Sequence, residues 1–89
     1  MTAIRRLVLD VLKPHQPNAV EFATKLAEAA SDYKVKLTVA TVDEKTETVE
    51  LTITGQEINF AGITSVIEQM GASVHSIDEV EVDGSGTLI

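Results

Sequence analysis

The chain has 89 residues and a formal net charge of −7, with 14 acidic residues against 7 basic ones. This balance disfavours nucleic acid or an anionic membrane as a partner and is compatible with binding of cations. The chain has no cysteine, which excludes disulfides and thiolate metal sites. Hydrophobic residues make up 44% but aromatic residues only 3%, so we expect one small domain with an aliphatic core.

No segment has the composition of a membrane span or a signal peptide. No apolar run approaches the roughly 18 residues that a transmembrane helix needs. The first six residues are too few and too mixed for a signal sequence. We therefore expect a cytoplasmic protein with a single domain over residues 1–83 and a flexible, glycine-containing tail over residues 84–89.

The first half of the chain predicts a strand, a helix and a second strand. Ile4 to Lys13 is typical of a strand with two largely apolar faces. Residues 14–17 contain two prolines and predict a loop, because proline cannot extend a ladder of hydrogen bonds. Asn18 is a favourable N-cap for a helix that runs to about Ser31. Residues 35–43 then alternate as a second strand.

The second half repeats this pattern in the order strand, helix, strand. Residues 43–47 predict a hairpin connection of four or five residues, and residues 48–54 alternate clearly as a strand. Asn59 is the expected N-cap of a second helix, which Gly71 ends. Residues 72–82 predict the last strand.

The order βαββαβ predicts an α+β protein with the ferredoxin-like fold. Right-handed crossovers then give a four-stranded antiparallel sheet in the order 4-1-3-2, with two helices on one face. In this topology the end of the first strand lies beside the start of the fourth. The last strand has an irregular apolar alternation, which a bulge near Ile77 would explain.

Five polar residues form the candidate site of this fold. Asp10 lies near the end of the first strand and His15 lies in the loop after it, and we expect both to lie near His75 at one corner of the sheet. Asp78 and Glu79 follow on the fourth strand. Imidazole with carboxylate suits Zn²⁺ or Cu²⁺, whereas carboxylates alone suit Ca²⁺, so the set predicts a divalent metal ion of undetermined identity. The same acids are also typical of an edge strand that resists indiscriminate pairing.

Three segments carry a resemblance to a known family. Residues 8–17, 42–47 and 73–80 resemble the archaeal domain-of-unknown-function family 211, and the similarity extends over residues 4–82. The resemblance implies a ferredoxin-like fold, an archaeal source and ring-like homo-oligomers. It attaches no enzymatic activity and suggests divalent-metal binding. The polar residues in the matching motifs are Asp10, His15, His75, Asp78 and Glu79.

A homo-oligomer larger than a dimer is also expected from the first strand. Val8 and Leu12 lie opposite its other apolar residues, and two helices can cover only one face of the sheet. We therefore predict a non-enzymatic, metal-binding oligomer that sequesters or carries metal, with no nucleic-acid or membrane partner. An ACT-like small-molecule sensor or a purely structural assembly is the alternative. An RNA-binding module is disfavoured because the two central strands lack aromatic residues.

Overall fold

The computed structural model describes residues 2–84, which form four β-strands and two α-helices. In chain order these are β1 (Ala3–Pro14), α1 (Ala19–Ala27), β2 (Lys34–Val42), β3 (Thr46–Thr54), α2 (Phe60–Gln69) and β4 (Ser73–Asp83). The predicted succession of elements is confirmed. Of the predicted tail, only Gly84 is described; the remainder lies outside the described residues. In the described chain, neither helix is long and apolar enough to cross a membrane.

The strands form one antiparallel sheet in the order β2-β3-β1-β4, so the fold is α+β. Read from the β4 edge, this order is 4-1-3-2. β1 lies inside the sheet, where Leu9 has Leu51 of β3 on one side and Ile77 of β4 on the other. β2 and β4 are therefore the two edge strands.

The hydrophobic core lies between one face of the sheet and the two helices. Alternate residues of β1 and β3 point to this helix side, and two residues of each helix pack against them. All of these side chains are at most 2% exposed: Leu7, Leu9, Val11, Val49, Leu51, Ile53, Phe22, Leu26, Ile63 and Ile67. Both helices consequently pack on the same face, and the opposite face is called the outer face below.

Polar caps fix where the helices begin. The Asn18 side chain accepts a hydrogen bond from the Glu21 amide at 2.9 Å, and the Glu21 carboxylate accepts one from the Asn18 amide at 3.1 Å. This capping box starts α1. Asn59 caps α2 by accepting from the Gly62 amide at 3.0 Å. Gly71 follows α2 with φ +84°, a left-handed conformation that glycine adopts without strain.

The prediction that α1 runs to about Ser31 is wrong, because the helix ends at Ala27. The residues that follow are held by the loop between β3 and α2. Asp32 accepts a hydrogen bond from the Gln56 amide at 2.7 Å, and the Tyr33 hydroxyl accepts one from the Asn59 amide at 2.8 Å. These tertiary contacts favour an early turn over further helix.

The end of β1 and the β2–β3 connection also differ from the prediction. Pro14 belongs to β1, opposite Thr46 of β3. Pairing of β1 with β4 stops at Leu12, so Pro14 lies at a local edge where a missing amide hydrogen is tolerated. The hairpin connection has three residues, 43–45, instead of four or five. The Asp43 amide closes it by donating to the Thr46 carbonyl at 2.8 Å.

Candidate functional site

The pairing of β4 with β1 is irregular around the residues that carry the candidate site. Two shifts of register insert His75 and Asp78 as extra residues on β4. Ile77 lies between them and stays opposite Leu9, on the helix side. The irregular alternation of this strand in the sequence therefore has its origin in two local irregularities, one on each side of Ile77.

Asp10 and His75 meet on the outer face of the sheet. Together with Leu12 and Thr48 they line a cavity of about 210 Å³. Asp10 is partly buried and His75 is exposed, so solvent reaches this cavity from the β4 side. The structure thus brings together one carboxylate and one imidazole of the five predicted residues.

His15 instead contacts the start of β3 and the hairpin before it. Its Nδ1 lies 2.9 Å from Glu47 Oε2, and its Nε2 lies 3.0 Å from the Glu44 carbonyl oxygen. Both partners are acceptors, and only the protonated imidazolium can donate to both at once. The hydrogen bond to Glu47, followed by that to Glu44, raises the pKa of His15 above its ordinary value.

Lys13 binds the second carboxylate oxygen of Glu47, and this role was not predicted from the sequence. Its side chain is fully buried on the helix side, and its Nζ lies 3.1 Å from Glu47 Oε1 and 2.9 Å from the Pro14 carbonyl oxygen. The hydrogen bonds from His15 and then Lys13 lower the pKa of Glu47. The alternation of β1 was the available signal, because Lys13 follows Leu9 and Val11 in the inward-pointing positions.

Asp78 and Glu79 each contact another side chain outside the cavity. Asp78 accepts a hydrogen bond from the Ser76 hydroxyl at 2.7 Å. Glu79 forms an ion pair with Arg6 at 3.3 Å. Both acids are exposed, and neither lines the cavity of Asp10 and His75.

The described residues offer only part of a metal-coordination shell. Within residues 2–84, no three histidine or acidic side chains are grouped so that they could hold a metal ion. Asp10 and His75 supply two ligand groups of suitable chemistry, whereas zinc sites use four ligands and calcium sites six or more. Any further protein ligands must come from outside residues 2–84 of this chain.

The fold and the cavity define a small α+β protein with a candidate cation-binding surface on its sheet. The model of the DUF211 family, whose description reads "Uncharacterized ArCR", matches residues 5–87, and the chain belongs to this family. An uncharacterized protein of Methanocaldococcus jannaschii is 45% identical over 80 residues, which cover 90% of this chain and 82% of that protein. The family and the archaeal origin indicated by the sequence motifs are thereby confirmed.

Proposed function

We propose that the chain is a non-enzymatic, cytoplasmic protein with the ferredoxin-like fold, and that it binds a divalent metal ion as part of a ring-like homo-oligomer. Metal would be sequestered or carried by this assembly. The observation that supports metal binding is the cavity shared by Asp10 and His75. A net charge of −7 adds a favourable field for cations.

The metal proposal is tested by calorimetric titration of Zn²⁺, Cu²⁺ and Ca²⁺ into the wild type and two variants. We expect His75→Ala and Asp10→Asn each to weaken binding of the preferred ion at least tenfold, because each removes one ligand. Asp78→Asn is the matched control, since it removes a carboxylate of the same strand outside the cavity and should bind as the wild type does.

Two results would contradict this assignment of ligands. Equal affinity of His75→Ala and the wild type for all three ions would exclude His75 as a ligand. Calcium binding that survives His75→Ala but is lost in Asp10→Asn would assign the site to carboxylates alone. A wild type that binds none of the ions would leave the second candidate, a purely structural assembly. That candidate is favoured by the ion pair of Glu79, which gives this acid a role without metal.

Exposed apolar side chains on the edge strands support the oligomer. Ile77, Val80 and Val82 of β4 are 52%, 53% and 50% exposed. Ile77 and Val80 lie opposite the core residues Leu9 and Leu7, and Val82 lies opposite Ile4, which packs against the core. These side chains therefore project on the helix side, where the helices leave about half of each exposed. The outer face contributes less exposed apolar area than predicted, because the Val8 side chain is buried within one subunit and only 6% exposed. Burial of such edges against other copies removes apolar area from water.

Light scattering tests the oligomer directly. We expect a particle mass more than twice the 9.6 kDa of one chain at micromolar concentration. A monomer or a dimer under these conditions would contradict the proposed assembly.

A further inference from the structure

The directions of the two edge strands allow a second copy of the chain to extend the sheet. All three strand pairings are antiparallel, so the edge strands β2 and β4 run in opposite directions within one subunit. A second copy displaced along the sheet would set its β2 antiparallel to β4 of the first copy. Both copies would then have their helices on the same side, and the sheet would continue without a break.

The two edges carry opposite charges. β2 (Lys34–Val42) contains two lysines and no acidic residue. β4 (Ser73–Asp83) contains four acidic residues and no lysine or arginine. Two β2 edges would bring lysines together, and two β4 edges would bring acids together, both of which are unfavourable. The complementary contact is β2 of one copy with β4 of another.

The opposite charges also lie in the same rows of the sheet. One row crosses the strands as Lys34, Thr54, Arg6 and Glu81. The next row on the same face crosses them as Lys36, Thr52, Val8 and Glu79. A neighbour that continues these rows without a shift would therefore set Lys34 beside Glu81 and Lys36 beside Glu79.

The charged groups in these rows are available for such contacts. Among residues 2–84, Lys34, Lys36 and Glu81 form no ion pair, and all three are exposed. Glu79 contacts only Arg6, at 3.3 Å, which leaves its other oxygen without an ionic partner among the described residues. The lysines lie beside Arg6, so β2 presents a basic surface on a protein whose net charge is −7.

The helix side gives a matching apolar contact. Val35 and Leu37 of β2 are partly buried and lie in the same rows as Val80 and Ile77 of β4, respectively. An unshifted continuation would set Val80 beside Val35 and Ile77 beside Leu37 of the neighbour. Cross-strand aliphatic pairs of this kind stabilise a sheet, and they would cover the apolar side chains that the helices leave exposed.

We propose that subunits assemble head to tail, with β4 of one copy paired to β2 of the next and with Glu81 and Glu79 opposite Lys34 and Lys36. This inference rests on the proposed homo-oligomer and identifies the surfaces that build it. Contacts between unlike surfaces repeat around a ring, whereas contacts between like surfaces end in a dimer.

Charge reversal with mixing tests the pairing. One variant carries Lys34→Glu and Lys36→Glu, and the other carries Glu79→Lys and Glu81→Lys. Each variant alone has two edges of like charge and should sediment as a folded 9.6 kDa monomer. In an equimolar mixture every edge has a complementary partner again, so particles larger than a dimer, built from alternating copies of the two variants, should return. A variant with Lys25→Glu and Lys45→Glu has the same change in net charge away from β2 and should assemble normally.

Circular dichroism of each variant separates loss of assembly from loss of folding, and the mixture makes the same distinction because unfolded chains would not reassemble. If the wild type is oligomeric and either edge variant assembles as the wild type does, the proposed pairing is wrong while the oligomer stands. Folded monomeric variants that stay monomeric when mixed also overturn it. A monomeric wild type would instead refute the oligomer itself.

Discussion

Lys13 has an unusual position for a charged side chain in a domain of 89 residues. It is fully buried on the helix side of β1, where the preceding inward positions carry leucine and valine. Removal of an ammonium group from water is costly, and a carboxylate partner offsets that cost only when the remaining protons are also bonded. Glu47 and the Pro14 carbonyl accept two hydrogen bonds from the ammonium group, and the Phe22 ring lies 5.8 Å from Nζ.

The two partners in this ion pair should respond differently to substitution. Glu47→Gln leaves the buried Lys13 ammonium without its counter-charge and should lower the free energy of unfolding markedly. Lys13→Met fills a similar volume without a charge and should stay within about 1.5 kcal/mol of the wild type. Urea unfolding of both variants measures the difference. A larger loss for Lys13→Met than for Glu47→Gln would show that the lysine head group is itself a net stabiliser.

The pair of His15 and Glu47 should make stability depend on pH in a defined window. The raised pKa of His15 means that its contribution is complete below the ordinary histidine pKa and is lost as pH rises through the folded value. The lowered pKa of Glu47 means that its contribution is present above the ordinary glutamate pKa and is lost as pH falls. The pair should therefore contribute most between about 4.3 and about 6.5.

Thermal unfolding of the wild type and His15→Gln across that window checks this expectation. The difference in melting temperature between the two proteins should be largest near the middle of the window and should shrink at higher pH, where the wild-type imidazole loses its charge. A difference that grows steadily with rising pH would contradict the assignment, because it would require His15 to stabilise the fold in its neutral form.

At the scale of elements, β3 and α2 hold the centre of the core. Leu51 and Ile67 are both fully buried there. Truncation of either to alanine should cost roughly 2–5 kcal/mol, from lost apolar contact and the cavity that remains. Thr52→Ala on the outer face of β3 is the matched control and should stay within about 0.5 kcal/mol of the wild type. Equal losses for Thr52→Ala and Leu51→Ala in urea would mean that the outer face is buried in the assembly.

The succession of elements was predictable because local chemistry and burial agree in this chain. The apolar alternation of β3 and the caps Asn18 and Asn59 each carry a local signal that the fold obeys. The end of α1 was not predictable from propensity. It depends on hydrogen bonds that Asp32 and Tyr33 accept from backbone amides of a loop more than 20 residues further along the chain.

The candidate site was only partly predictable for a similar reason. Topology alone placed Asp10 near His75, since it fixes which strand ends are neighbours. It could not place His15, whose ring is bound by Glu44 and Glu47. That contact depends on a hairpin of three connecting residues that brings the start of β3 beside the loop after β1. Rotamers and hydrogen-bond partners of this kind are set by tertiary packing.

At the scale of the whole molecule, two short helices cover a sheet whose strands are longer than the helices. α1 and α2 have 9 and 10 residues, which span about 15 Å each at 1.5 Å per residue. β4 has 11 residues and extends over roughly 36 Å at 3.3 Å per residue. The apolar side chains of β4 therefore extend beyond the helices and are incompletely covered in a single chain.

Such a subunit should owe part of its stability to assembly, so its melting temperature should rise with protein concentration. When unfolding is coupled to dissociation, a tenfold increase in concentration stabilises the folded subunit by up to about 1.4 kcal/mol. For a domain of this size each kcal/mol corresponds to a shift of about 4–8 °C. The variant with Lys34→Glu and Lys36→Glu, which we expect to be monomeric, should melt at a temperature independent of concentration and below that of the wild type. Scanning calorimetry over a tenfold range of concentration makes both measurements. A wild-type melting temperature that stays constant over this range would mean that assembly contributes nothing to the stability of the fold.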